Sequence, residues 1–65
     1  MAIINGTQTE DANGMNFYNY LVNSGYNTER IAVELNGEIL PKKNFKDTVI
    51  SNSDKIEIVA FVGGG

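Results

Sequence analysis

Apolar residues recur along this chain at two different periods, and the change of period marks out its elements. Near the start, Ala2, Ile3 and Ile4 run into Asn5-Gly6 and then Thr7-Gln8-Thr9. A second apolar segment, Ile31–Leu35, runs into Asn36-Gly37 and then Glu38-Ile39-Leu40. Asn-Gly between strand-forming residues favours the tight turn of a two-residue hairpin, whose central residues need positive φ. The pattern predicts one hairpin pairing Ala2–Asn5 with Thr7–Glu10 and another pairing Ile31–Leu35 with Glu38–Leu40. Pro41, which has no N–H to donate, ends the second. Between the hairpins the spacing lengthens. Phe17, Tyr20, Leu21 and Ser24 share one side of a short helix, with Asn16 as its N-cap and Gly25 as the left-handed residue that closes it. Phe17 and the three tyrosines are expected in or beside the core.

After Pro41, Phe45, Val49 and Ile50 are expected as apolar anchors of a connection too long for a hairpin. Ser51 to Asp54 reads as a turn. A final strand, Lys55–Val62, alternates with Ile56, Ile58, Ala60 and Val62 on one face and Glu57, Val59 and Phe61 on the other. The order strand-strand-helix-strand-strand-strand allows one helix to cover one face of a mixed sheet. It predicts an α+β fold of the β-grasp type, about five strands with the first and last side by side and parallel. The folded domain is expected over residues 1–62, with residues 63–65 a flexible glycine tail.

Composition removes most chemistry. With no cysteine there is no disulfide or thiolate site, and with no histidine the commonest metal ligand and general base are missing. No metal site is expected. A net charge of −3 argues against nucleic-acid binding, which concentrates Lys and Arg. The densest basic stretch, Lys42, Lys43 and Lys46, reads as a solvated loop. Asp47, Asp54 and Glu57 could pair as acid and base, but carboxylates at turns are usually solvated caps, so an enzyme is not expected. No apolar run approaches the ~20 residues that span a bilayer, and the first residues lack the pattern of a signal peptide. A soluble cytoplasmic protein is expected.

What composition leaves unexplained is the ending, Ile58-Val59-Ala60-Phe61-Val62-Gly63-Gly64-Gly65. Glycines add nothing to a core, and each loses more backbone entropy on ordering than any other residue. From Leu35 to Gly65 the chain resembles the sulfur carrier proteins of thiamine biosynthesis, the ThiS type, within the ubiquitin-like β-grasp superfamily. The matching residues are Asn36-Gly37-Glu38, the aromatic Phe45, the turn at Ser53-Asp54, the strand Ile56–Val59 and the closing Gly64-Gly65. The N-terminal half agrees in length and order. Two positions depart from the family pattern: Phe45 stands where tryptophan is frequent, and Ser53 replaces the glycine of a Gly-Asp turn.

The resemblance implies a protein co-substrate rather than an enzyme. A ThiF-like adenylyltransferase would use ATP to convert the Gly65 carboxylate to an acyl-adenylate. Sulfur from a cysteine-desulfurase-derived source would replace AMP, and the thiocarboxylate would serve a ThiG-like thiazole synthase. No cofactor is expected on the chain itself. An acyl-adenylate must be kept from water, and Gly63 and Gly64, lacking Cβ atoms, would let the chain thread a narrow channel. Val59 and Phe61, with Ala32 on the third strand, are expected to form an apolar docking patch on the sheet's uncovered face. Sulfur donation of the molybdopterin-synthase small-subunit type, a ubiquitin-related modifier, and a β-grasp interaction module with an inert tail are the alternatives.

Overall fold

The computed structural model describes residues 1–61. Five strands form one sheet: β1 (Ala2–Ile4), β2 (Thr7–Thr9), β3 (Ile31–Leu35), β4 (Glu38–Ile39) and β5 (Lys55–Ala60), in spatial order β2-β1-β5-β3-β4. β1 and β5 run parallel at the centre, with Ile4 beside Ile56. The remaining neighbours are antiparallel. One helix, α1 (Phe17–Asn23), supplies Phe17 and Leu21 to the core. This is the β-grasp arrangement expected from the element order.

Local chemistry sets each boundary. Asn5 and Asn36 hold positive φ (51° and 53°), as do Gly6 and Gly37, so both hairpins turn as anticipated. Asn5 is thereby a turn residue, not the last residue of β1, and Glu10 opens a 3₁₀ turn (Glu10–Ala12) instead of ending β2. Leu40 lies beyond β4, although its N–H still donates to Val33 C=O at 2.9 Å. Asn16 caps α1 by accepting from the Asn19 N–H at 3.1 Å, and its amide donates to Lys46 C=O at 2.8 Å. At the other end, Gly25 N–H donates to Val22 C=O and Tyr26 N–H to Leu21 C=O. That double closure needs a left-handed residue between, and Gly25 has φ 87°.

The long connection contains a second 3₁₀ helix (Lys42–Asp47) whose Phe45 is fully buried. Phe45 meets Phe17 edge to face, with ring centroids 5.4 Å apart. Ile50 is buried beside them, but Val49 is 60% exposed and anchors nothing. The backbone on either side of Val49 is committed elsewhere: Phe17 N–H donates to Thr48 C=O and Ile50 N–H to Met15 C=O. That extended pairing turns adjacent side chains to opposite sides. The turn at Ser51–Asp54 needs no glycine at Ser53. Asp54 N–H donates to Ser51 C=O and Ser51 N–H to the Asp54 carboxylate, closing it with no positive φ.

The core gathers Ala2, Ile4, Ala12, Phe17, Leu21, Ile31, Val33, Phe45, Ile50, Ile56 and Ile58, with Tyr18, Tyr20 and Tyr26 packed half-buried at its margin. Ala60 shares the inward parity of Ile56 and Ile58 but is exposed, which corrects its expected place in the covered face. It pairs with Ile31 at the last step of the ladder, where cover runs out. Val62 lies outside the described residues.

Candidate functional site

β5 is the centre of the sheet and leads directly into the glycine tail, so its geometry decides what the tail is attached to. Ile56 and Ile58 are buried beneath the helix, whereas Val59 and Phe61 are 60% and 56% exposed. The antiparallel register places Ala32 directly opposite Val59, and Ala32 is exposed as well. Phe61 N–H donates to Arg30 C=O at 2.7 Å, extending the pairing one step past the strand. Val59, Phe61 and Ala32 therefore lie together on the face opposite the helix.

The same face carries residues that the sequence pattern did not single out. Glu34 stands opposite Glu57 in the next row, with Ile39, 76% exposed, across from Glu34 on β4. Ile3 lies beside Lys55 on the parallel side. Strict alternation in Ala2-Ile3-Ile4 marks Ile3 as outward, but only the crossover pairing of β1 with β5 brings it to this surface. Like charges directly opposite one another on a sheet are unfavourable. Among the described residues neither Glu34 nor Glu57 has an ion-pair partner, the one ion pair being Lys42 with Glu29 at 2.8 Å.

That ion pair belongs to the basic stretch, and Lys42 and Glu29 are both largely exposed. The hydrogen bond from Lys42, and then its charge, hold the Glu29 carboxyl below its ordinary value. Lys46 sits over the Tyr18 ring with Nζ 4.8 Å from the centroid. Lys42, Lys43 and Lys46 are exposed as expected, but on a 3₁₀ helix rather than a loop. Asp54, one of the carboxylates considered for acid–base chemistry, is engaged in its turn. Burial pushes its carboxyl up, but hydrogen bonds from the Ser51 backbone, the Asn36 amide and Ser51 together outweigh that and hold it below the ordinary value. Among the described residues no group of His, Cys, Asp and Glu could hold a metal ion, and no helix is long and apolar enough to cross a membrane. Gly63, Gly64 and Gly65 lie outside the described residues.

Residues 2–65 match the ThiS family. The uncharacterized protein ycf40 of Porphyra purpurea is 49% identical over 47 residues, which are 72% of this chain and 62% of that one. A thiazole synthase of Paramagnetospirillum magneticum is 38% identical over 63 residues, covering 97% of this chain but 19% of that enzyme. The chain thus spans about three fifths of the first relative and about a fifth of the second. The crystal structure of the thiamine biosynthesis protein ThiS from Geobacter metallireducens superposes with a TM-score of 0.74 at 31% identity, covering 98% of this chain and 97% of that one.

Proposed function

The chain belongs to the ThiS family, and on that premise we propose that it is a sulfur carrier whose Gly65 carboxylate is the reacting group. A carboxylate is a poor electrophile because resonance spreads its charge, so sulfur cannot enter without activation. A ThiF-like adenylyltransferase supplies it: a Gly65 oxygen attacks the α-phosphorus of ATP, pyrophosphate leaves, and the acyl carbon becomes electrophilic. The terminal sulfur of a cysteine-desulfurase-derived persulfide then displaces AMP to give an acyl disulfide. A second thiol cleaves its S–S bond, forming a disulfide and releasing the Gly65 thiocarboxylate, which passes its sulfur to thiazole formation on a ThiG-like thiazole synthase. The chain itself is a co-substrate and binds no cofactor; ATP is bound by the partner. The setting is the cytoplasm, where these partners and ATP meet.

The observation that carries this reading is that the family match runs through Gly65 itself, shortly beyond the exposed apolar pair Val59 and Phe61 at the end of β5. Gly63 and Gly64 serve passage into the partner's site, since residues without Cβ atoms fit a narrow channel and accept unusual φ and ψ. Val59, Phe61 and Ala32 dock the body of the domain while the tail is enclosed. The likeness to a ThiS of thiamine biosynthesis and to a thiazole synthase supports thiazole as the destination over molybdopterin. Intact mass spectrometry of protein isolated with its native terminus tests the proposal. The expected result is a species in which one oxygen is replaced by sulfur, located to Gly65 by fragmentation, and formed only with ATP and the adenylyltransferase. Adenylation and thiolation of a chain extended past Gly65 would overturn it.

A further inference from the structure

The last part of β5 has a sheet neighbour on one side only. β1 accompanies β5 as far as the Ile4–Ile56 pair, while β3 continues to the Ile31–Ala60 pair. Alternation along the ladder settles where the remaining backbone groups point. Asn5 N–H donates to Ile56 C=O at 2.9 Å and Phe61 N–H to Arg30 C=O at 2.7 Å. Ile56, Ile58 and Ala60 therefore turn their N–H and C=O groups to the β1 side, and Val59 and Phe61 turn theirs to β3. Where β1 stops, the Asn5 side chain takes its place: the Ile58 N–H donates to Asn5 Oδ1 at 2.6 Å. Beyond that substitute, the Ile58 C=O and the Ala60 N–H and C=O have no partner among the described residues. Open edges are commonly blunted by charge, proline or cover. This one is bordered by exposed Val59, Ala60 and Phe61, all apolar.

We propose that this edge receives an extended segment of the adenylyltransferase, which joins the sheet beside β5 and takes the Ile58 C=O and Ala60 N–H into backbone hydrogen bonds. The inference rests on the carrier reading and specifies how the body of the domain is held. The reach of the tail argues for this occupant. Gly65 lies five residue steps beyond Ala60, and an extended chain spans about 3.4 Å per residue, so an enzyme enclosing Gly65 lies within about 17 Å of the edge. Strand addition of this kind draws its affinity from the main chain, and side chains on either face set specificity. Here those are Ala60 on one face and Val59 with Phe61 on the other. Pairing both sides of β5 also holds the strand straight where the tail leaves it.

Amide hydrogen exchange on the full chain, alone and with the adenylyltransferase and ATP, reads the edge directly. The Ala60 amide is expected to exchange freely in the protein alone and to slow by on the order of tenfold or more in the complex. The Ile58 amide, already bonded to Asn5, should be protected in both. A semisynthetic chain with L-lactic acid in place of Ala60 removes that N–H and also makes the Val59 C=O, which faces Ala32 on β3, a weaker acceptor. Its melting point should fall modestly through the Val59 acceptor. A chain with the ester one residue later, at Phe61, whose N–H donates to the Arg30 C=O just before β3, serves as the control. Only the Ala60 ester should weaken the complex, by about three- to tenfold. If Gly65 is adenylated in a complex that leaves the Ala60 amide unprotected, or if the Ala60 ester binds as tightly, strand addition is overturned and the carrier reading stands. Failure of the unmodified chain to be adenylated overturns both. Concentration-dependent protection of Ala60 in the protein alone would assign the edge to a second copy and also overturn the proposal.

Discussion

Asn5 and Asn36 each do two jobs, and both end on the central strand. They are the non-glycine residues with positive φ among those described, and each sends its side chain to β5. Asn5 Oδ1 accepts from the Ile58 N–H, and its amide donates to the Tyr26 hydroxyl at 3.4 Å. Asn36 Oδ1 accepts from the Lys55 N–H at 2.8 Å, and its amide donates to Asp54 at 3.0 Å. Asn5→Gly keeps the turn and removes the acceptor. It should lower stability by about 1–2 kcal/mol in urea titrations, because the half-buried Ile58 N–H loses its partner; Asn5→Asp, which keeps an acceptor, should cost less. Asp54 adds a pH dependence whose sign follows from its lowered carboxyl. A group depressed on folding stabilises fully above its ordinary value of 3.8 and loses that contribution as pH falls towards the folded value. Asp54→Ala should therefore cost about 1 kcal/mol near neutrality, where the carboxylate caps its turn. The deficit should shrink below about pH 4. A constant deficit in urea titrations across that range would remove the linkage.

At the scale of the element, β5 separates buried from exposed side chains by parity, and the proposed carrier role assigns stability to the first set and docking to the second. Ile58→Ala should cost roughly 2–5 kcal/mol, as for a buried Ile. Phe61→Ala should cost the fold much less and weaken adenylyltransferase binding by about 1–2 kcal/mol, as near an interface hot spot. Melting curves and binding titrations on both variants decide it, and the reverse pattern would move the docking surface to the other face. This division was legible in the sequence because a strand covered on one side alternates at period two, so Ile56 and Ile58 separate from Val59 and Phe61 without knowledge of any neighbour. Ala32 was legible by the same rule on β3. Ala60 and Val49 were not. Ala60 keeps the inward parity but sits past the end of the cover, and the Val49 side chain is turned out by a backbone bridge to Asn16, which is remote in sequence. Ile3, Ile39 and the opposed Glu34 and Glu57 join the outer face only through register between strands, which no local pattern contains. Nor does a sequence show that an Asn side chain can stand in for the next residue of a strand.

For the whole molecule the question is where the folded unit ends. Among the described residues the last buried apolar side chain is Ile58, and every other core member lies before it. Val59, Ala60 and Phe61 are exposed, and the final backbone bond among the described residues is the one from Phe61 to Arg30. A domain of this size leaves much of its surface unburied and has little stability to spare, so any core contribution from the last residues would be visible in a melt. A chain ending at Phe61 should melt within about 2 °C of the full chain, well inside the ~4–8 °C that 1 kcal/mol moves a domain of 60–100 residues. It should compete with the full chain for the adenylyltransferase through β5 and the outer face, while accepting neither AMP nor sulfur. A drop of more than about 5 °C would place part of the core in the last four residues and end the separation of a folded body from a reacting tail. An unchanged melt with no competition would instead make the tail, not the sheet, the principal handle by which the partner holds the protein.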